Sequence, residues 1–204
     1  MRGLRRVPPL PVVARMIARD EALALLHEWV EDEGLRKHMY AVEAVMRHYA
    51  RIRGADEDKW GMAGLLHDLD WERHPDEHPL RAVDELRRRG CDEEVLHAVL
   101  AHRSDFTGVE PETDMDRHLI ASDELSGLVH AVCLVRPNGI DDLEVRSVTK
   151  KLKDKAFAAG VSREEVQRGV DLIGLERSAH IQNVIDALRT IGARLGIRAV
   201  DRRG

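Results

Sequence analysis

The stretch Trp60-Gly61-Met62-Ala63-Gly64-Leu65-Leu66-His67-Asp68-Leu69-Asp70-Trp71 decides how this chain is read. Trp60, Ala63, Leu66 and His67 recur at helical spacing, and Asp56 stands where an N-cap is needed. The spacing predicts a helix that starts after Asp56, ends near Trp71, and gives way to the polar run from Glu72 to Pro79. His67 and Asp68 therefore fall in its last turns, two metal-ligand types side by side. Taken alone the pair has a simpler reading, since a cation near a helix C-terminus is favoured by the macrodipole.

Outward from this stretch the periodicity stays helical. Asp20 caps a helix from Glu21 to about Asp32, with Gly34 after its end. From Leu35 to Arg53 an apolar stripe of Val42, Val45, Tyr49 and Ile52 carries His38 on the same face. Further helices are expected over Leu80–Arg89, closed by Gly90, and over Asp92 to about His102, where Val95, Val99 and His102 share a stripe. Ser104 to Thr113 reads as a loop. A long helix from Asp114 or Asp116 to Arg136 then holds Asp123 at its middle, and Leu143–Ala158, Ser162–Glu176 and Ser178–Leu195 follow. The expectation is an all-α fold of about eight helices. Residues 1–19 read as an arm, 20–196 as a single domain with its C-terminal helices over 141–196, and 197–204 as a tail.

Composition narrows the classes. The chain has 204 residues, 34% of them charged, and a net charge of −5 with both signs interspersed. That balance gives no global support for binding a nucleic-acid polymer or an anionic membrane, while a small anionic ligand stays admissible. The longest apolar stretch without formal charge, Ser126 to Val135, is far short of the roughly 18 residues of a membrane span. Pro8, Pro9 and Pro11 interrupt the basic N-terminus where a signal peptide has its apolar run. Cys91 and Cys133 form no CxxC, so neither a disulfide framework nor a thiolate zinc site is expected, and a cytoplasmic setting fits.

Eleven histidines outnumber the two Phe, three Trp and two Tyr together. His38, His67, Asp68, His78, His102 and Asp123 come from successive helices and one connecting loop, and three of them fall on apolar faces where an unpaired polar group is costly. One shared partner satisfies them together. Imidazole and carboxylate suit Zn, Fe, Mn, Ni or Co, and helical bundles build such centres from facing helices. His74 lies four residues before His78 in the same polar loop and is the alternative to it. His27, His48, His97, His118, His130 and His180 lack any such order and read as ordinary surface or core residues.

The order His38, His67-Asp68, His78, His102, Asp123 on an all-α scaffold resembles the HD superfamily of metal-dependent phosphohydrolases over about Leu35 to Pro137. The contexts His78-Pro79-Leu80-Arg81-Ala82-Val83 and Ala121-Ser122-Asp123-Glu124-Leu125-Ser126-Gly127 look like an uncharacterised bacterial branch of it. The resemblance implies that His38, His67, Asp68 and Asp123 hold one divalent transition metal, and that His78 and His102 add a second ion with Asp68 as the bridge. It also implies hydrolysis of a small phosphorylated substrate, with a di-iron oxygenase and a non-catalytic module that keeps the fold as the alternatives. The doublet is followed by Leu69-Asp70-Trp71 and not by the Ile-Gly of signalling-nucleotide members, so no substrate is carried over.

Beside these stand supporting candidates. Asp70 and Glu72 are placed to orient a ligand histidine or relay a proton. Arg103 is a candidate phosphate clamp and a catalytic candidate with Asp68, because a guanidinium offers two parallel donors. Lys151 and Lys155 are candidate substrate contacts within a run of lysines whose plainer reading is the solvated face of an amphipathic helix.

Overall fold

The computed structural model describes residues 17–199, so the expected arm up to residue 16 and the tail from residue 200 lie outside the described residues. Among them are eleven α-helices and no named strand: α1 (Arg19–Trp29), α2 (Glu33–Arg53), α3 (Glu57–Leu66), α4 (Leu80–Arg88), α5 (Glu93–Ala101), α6 (Ser104–Thr107), α7 (Asp114–Leu134), α8 (Val145–Lys153), α9 (Arg163–Ile173), α10 (Arg177–Thr190) and α11 (Gly192–Leu195). The fold is all-α. No helix of the described residues is long and apolar enough to cross a membrane.

Five of the eleven helix starts are set by side chains that accept otherwise orphaned N–H groups. Asp56 accepts from Asp58 and Lys59 N at the head of α3, Asp92 from Glu94 N at α5, and Ser162 from Glu165 N at α9. Thr113 and Asp116 cap α7 reciprocally. Elsewhere the boundaries differ from expectation. Helix α1 starts a residue before Asp20 and stops at Trp29; Asp32 caps α2, and Gly34 sits in the first turn of that helix. Helix α3 stops at Leu66 and not near Trp71. Gly64 O accepts the ring N–H of His67, and beyond it Leu69, Trp71 and Arg73 N each bond three residues back, which tightens the chain into turns. Ser104–Thr107 forms a four-residue helix where a loop was expected, α8 ends five residues before Ala158, and the last expected helix is split at Ile191. Ile52, expected on the apolar stripe of α2, is 56% exposed.

The two longest helices, α2 and α7, are the axes of the core. Their buried faces carry Val42, Val45, Met46 and Tyr49 from α2, and Leu119, Leu125, Leu128 and Val132 from α7. Two glycines let neighbouring backbones close on these axes. A Cβ at Gly64 would lie 2.8 Å from Val42 O, so only glycine lets α3 approach α2 this closely. A Cβ at Gly169 would lie 2.5 Å from Ala121 Cα, and α9 packs on α7 there. The first contact brings the end of α3 to the face of α2 that carries His38, and the second brings α9 beside the segment of α7 that carries Asp123.

Candidate metal centre

Six side chains from α2, the α3 terminus, the α3–α4 connection, the α5 terminus and α7 converge. His38 Nε2 lies 3.2 Å from His67 Nε2, 3.5 Å from Asp68 Oδ2 and 3.0 Å from Asp123 Oδ1. His67 Nε2 is 3.3 Å from Asp68 Oδ2 and 3.5 Å from Asp123 Oδ1. On the other side of the same carboxylate, Asp68 Oδ1 is 3.3 Å from His78 Nε2 and 3.7 Å from His102 Nε2, which are 3.0 Å from each other. His38, His67, Asp68 and Asp123 thus form one group able to hold a metal ion, and Asp68, His78 and His102 a second. Asp68 belongs to both through different oxygens.

The hydrogen atoms of the imidazoles test this fit. His67 Nδ1 meets Gly64 O at 2.9 Å, His102 Nδ1 meets Val99 O at 2.5 Å, and His78 Nδ1 meets Asp70 Oδ1 at 2.7 Å. Carbonyl and carboxylate oxygens only accept, so each Nδ1 donates and each neutral ring turns its Nε2 lone pair to the centre. Two lone pairs 3.0 Å apart, as at His78 and His102, repel unless a proton or a cation lies between them. Ligands about 2.1 Å from one ion stand about 3.0–3.4 Å apart in tetrahedral or octahedral geometry; five of the eight separations fall in that range, and the His38–Asp68, His67–Asp123 and His102–Asp68 distances, at 3.5, 3.5 and 3.7 Å, are slightly longer. The donor set fits a divalent transition metal, and its tautomers are fixed by protein acceptors in the manner of metal-binding imidazoles.

Charge at the centre follows from burial and these neighbours. Burial opposes a proton on His67, yet the charge of Asp68 and hydrogen bonds with Asp123 and Asp68 raise its pKa well above the usual 6.5. Burial likewise works against ionised Asp68 and Asp123, but the histidines hold both carboxyls below their ordinary range. Burial lowers His102. Without a metal the ionised carboxylates therefore favour a proton on His67, on the side where an ion would sit.

The centre opens on a cavity of about 370 Å³, onto which Asp68 and Asp123 expose 16% and 26% of their side chains while His67 stays fully buried. Trp71, Arg103 and Asp105 form one side, and Ile120, Glu124 and Gly127 of α7 with Val161 and Glu165 form the other. Burial and the neighbouring Asp123 push Glu124 up to about 7, and its carboxylate accepts from Ser162 N. Arg103 reaches this cavity but is engaged by Asp105, with Nε and Nη2 at 3.2 and 3.4 Å from the two carboxylate oxygens.

Other expected residues fall elsewhere. His78, and not His74, enters the centre; His74 packs edge-on against Trp29, with ring centroids 6.3 Å apart. Glu72 accepts from Glu31 and Asp32 N at 2.9 and 3.0 Å, tying the α1–α2 connection, and lines a shallow hollow beside His38. Lys151 lies over the Phe157 ring at 4.3 Å, and Lys155 lines a different cavity, so neither contributes to the wall of this one. Asp123, expected in the interior of its helix, is on the cavity surface. The sequence reading missed Ile120, Glu124, Gly127, Val161 and Glu165. The three on α7 share a face with Asp123 at helical spacing, which is a usable signal; Val161 and Glu165 have none in their own sequence.

The comparisons agree with this geometry. Residues 35–128 match the family model described as HD domain. No curated protein and no solved structure matches the chain. The matched span takes in five of the six converging residues by position in α2 to α5 together with Asp123 in α7, so all six lie inside it. By that match and that arrangement of histidines and aspartates, residues 35–128 of the chain carry an HD domain.

Proposed function

We propose that this protein is a metal-dependent phosphohydrolase that cleaves an ester of a small phosphorylated substrate. The observation that carries the reading is the sharing of Asp68 between two donor groups at the floor of an open cavity. His38, His67, Asp68 and Asp123 would hold one divalent transition metal, and Asp68, His78 and His102 a second. When bound, such ions supply an acidified water as nucleophile at neutral pH and positive charge against phosphoryl oxygens.

The chain's own residues do the positioning. Asp70 is fully buried, accepts from His78 Nδ1 and from Ala82 N at 2.8 Å, and so fixes both the tautomer and the ring plane of His78. Gly64 O and Val99 O do the same for His67 and His102. Arg103 can exchange Asp105 for a substrate phosphate, since both offer the guanidinium a pair of acceptor oxygens. Trp71, 44% exposed and edge-on to His78 at 5.1 Å, shields one flank of the centre.

The test is elemental analysis of protein purified without chelator, followed by a screen of phosphomonoesters, phosphodiesters and nucleotides with Mn, Co, Ni or Fe. One or two metal ions per chain and chelator-sensitive phosphate release are expected. Arg103→Ala should lower kcat/KM by about 10–100-fold with metal content unchanged, because the guanidinium acts only on the anion. Metal-loaded protein that releases no phosphate from any substrate overturns the reading, and oxygen consumption with iron assigns the di-iron oxygenase in its place.

A further inference from the structure

A second cavity, of about 260 Å³, lies between the end of α8 and the helices α9 and α10. Lys153, Lys155, Arg163 and Arg177 line it together with Thr149 and Gln167, and no carboxylate does. In a chain of net charge −5 this is an unusual concentration of positive charge. Among the described residues Lys153 and Lys155 have no ion-pair partner, and Arg177 donates to the neutral amide oxygen of Gln167.

Arg163 is committed to the backbone. Its guanidinium donates to Ala158 O at 2.6 Å, Val161 O at 2.7 Å, Asp154 O at 3.1 Å and Phe157 O, all of them uncharged acceptors. Its Nε is buried with no partner. The segment it gathers includes Ala158 at φ 46, a left-handed conformation that a residue with a Cβ adopts only under strain. The chain is thus bent around a guanidinium whose charge is left without a counter-ion, beside three further cations.

The arginine-lined hollow on α4 shows the alternative. There Arg81 sits 2.7 Å from Glu77, Arg87 3.6 Å from Glu93 and Arg88 2.5 Å from Glu85, and Asp84 joins the lining. Those guanidiniums are neutralised within the protein. The cations of the α8–α10 cavity are not, and like charges gathered without an anion repel one another.

We propose that the α8–α10 cavity is an anion site separate from the metal centre, which takes a small ligand bearing two or more negative charges on phosphate oxygens. Lysine ammonium and arginine guanidinium groups are the donors suited to phosphate, and Lys153, Lys155 and Arg177 supply them, while Arg163, whose terminal nitrogens are spent on carbonyls, adds its charge. The volume lies below the roughly 300–1,000 Å³ of a pocket for a drug-sized ligand, so the ligand is compact. The site borrows no residue from the metal centre and its occupancy is readable without catalysis.

Pyrophosphate is the probe, titrated calorimetrically into chelator-treated, dialysed protein. Saturable binding is expected, weakened about tenfold or more in the Lys155→Ala, Arg177→Ala double variant, whose side chains are exposed and whose fold is checked by its melting curve. Arg103→Ala should leave the affinity within about twofold. An Arg87→Ala, Arg88→Ala double variant removes two equally exposed charges from the neutralised hollow and should also leave it unchanged. Absence of binding at millimolar pyrophosphate overturns the proposal. So does an equal loss in both double variants, which would show diffuse surface attraction, or a loss confined to Arg103→Ala, which would move the anion to the metal cavity.

Discussion

Two clusters of buried histidine lie against the same pair of long helices and have opposite chemistry. In the metal centre, each of His67, His78 and His102 spends Nδ1 on a protein acceptor and leaves Nε2 pointing at other unprotonated or anionic donors. About His180 both ring nitrogens are settled within the protein. Nε2 donates to Ala121 O at 2.8 Å, so Nδ1 accepts from the Tyr49 hydroxyl at 2.6 Å. Burial pushes His180 down to about 4 and Tyr49 upward, both in the direction of neutrality, consistent with an uncharged pair. Burial alone therefore does not mark a ligand. What marks it is a group of ring nitrogens that, once each Nδ1 is spent, converge with carboxylate oxygens on one point.

The largest test of that contrast is Asp68→Ala. It removes the oxygen pair common to both donor groups, and metal content should fall to near zero, with phosphate release lost and the melting temperature of the as-purified protein lowered toward that of chelated protein. Unchanged metal content and melting temperature would break the contrast, because the convergent nitrogens would then need no ion.

Acid should strike the two clusters differently. The unfolded chain protonates His180 near pH 6.5 and the folded one only near 4, so its contribution to stability is complete above 6.5 and is lost as pH falls toward 4, by about 3 kcal/mol. His118, also lowered by burial, acts in the same direction. His67 is raised, so in chelated protein its contribution is present below 6.5 and lost as pH rises through its folded value. Urea midpoints of chelated protein from pH 7 to 4.5 measure the sum, and His180→Leu should flatten the acid limb. At pH 7 that variant should cost about 1–3 kcal/mol through the orphaned Tyr49 hydroxyl and Ala121 carbonyl, with metal content unchanged. A variant that loses metal would show that the two clusters are not independent.

The smallest effect sharpens the metal centre itself. Asp70→Asn keeps a hydrogen-bonding oxygen near His78 but removes the charge, and should weaken the second ion about 10–100-fold while the first stays bound. Metal titration followed by elemental analysis reads both steps, and equal weakening of the two would deny Asp70 its selective hold on His78.

Most residues of the centre were legible because they sit where a helical period or a helix terminus places them; His78, in the connection before α4, was not placed by period. His38 shares the stripe of Val42 and Val45, His102 that of Val95 and Val99, and a polar group on such a stripe needs a partner wherever the stripe is buried. Asp70 was legible only as a carboxylate near the doublet; its bond to His78 depends on the turns after Leu66 that fold residues 70 and 78 together. Lys155 carried a signal of charge but not of place, and the structure sets it in the α8–α10 cavity, away from the centre.

Composition and period by themselves determined an all-α chain, because period is a property of residue order along single helices, and the order of histidines and aspartates marked the six candidates through the resemblance it carries. Tertiary structure decided what depends on approach between helices far apart in sequence. The closeness of Gly64 to α2, the division of the Asp68 oxygens between two groups, and the wall contributed by Val161 and Glu165 all arise from packing. The same holds for the unpaired cations around Arg163. A lysine run reads identically whether carboxylates face it or not, and only the arrangement of α8, α9 and α10 leaves these without one.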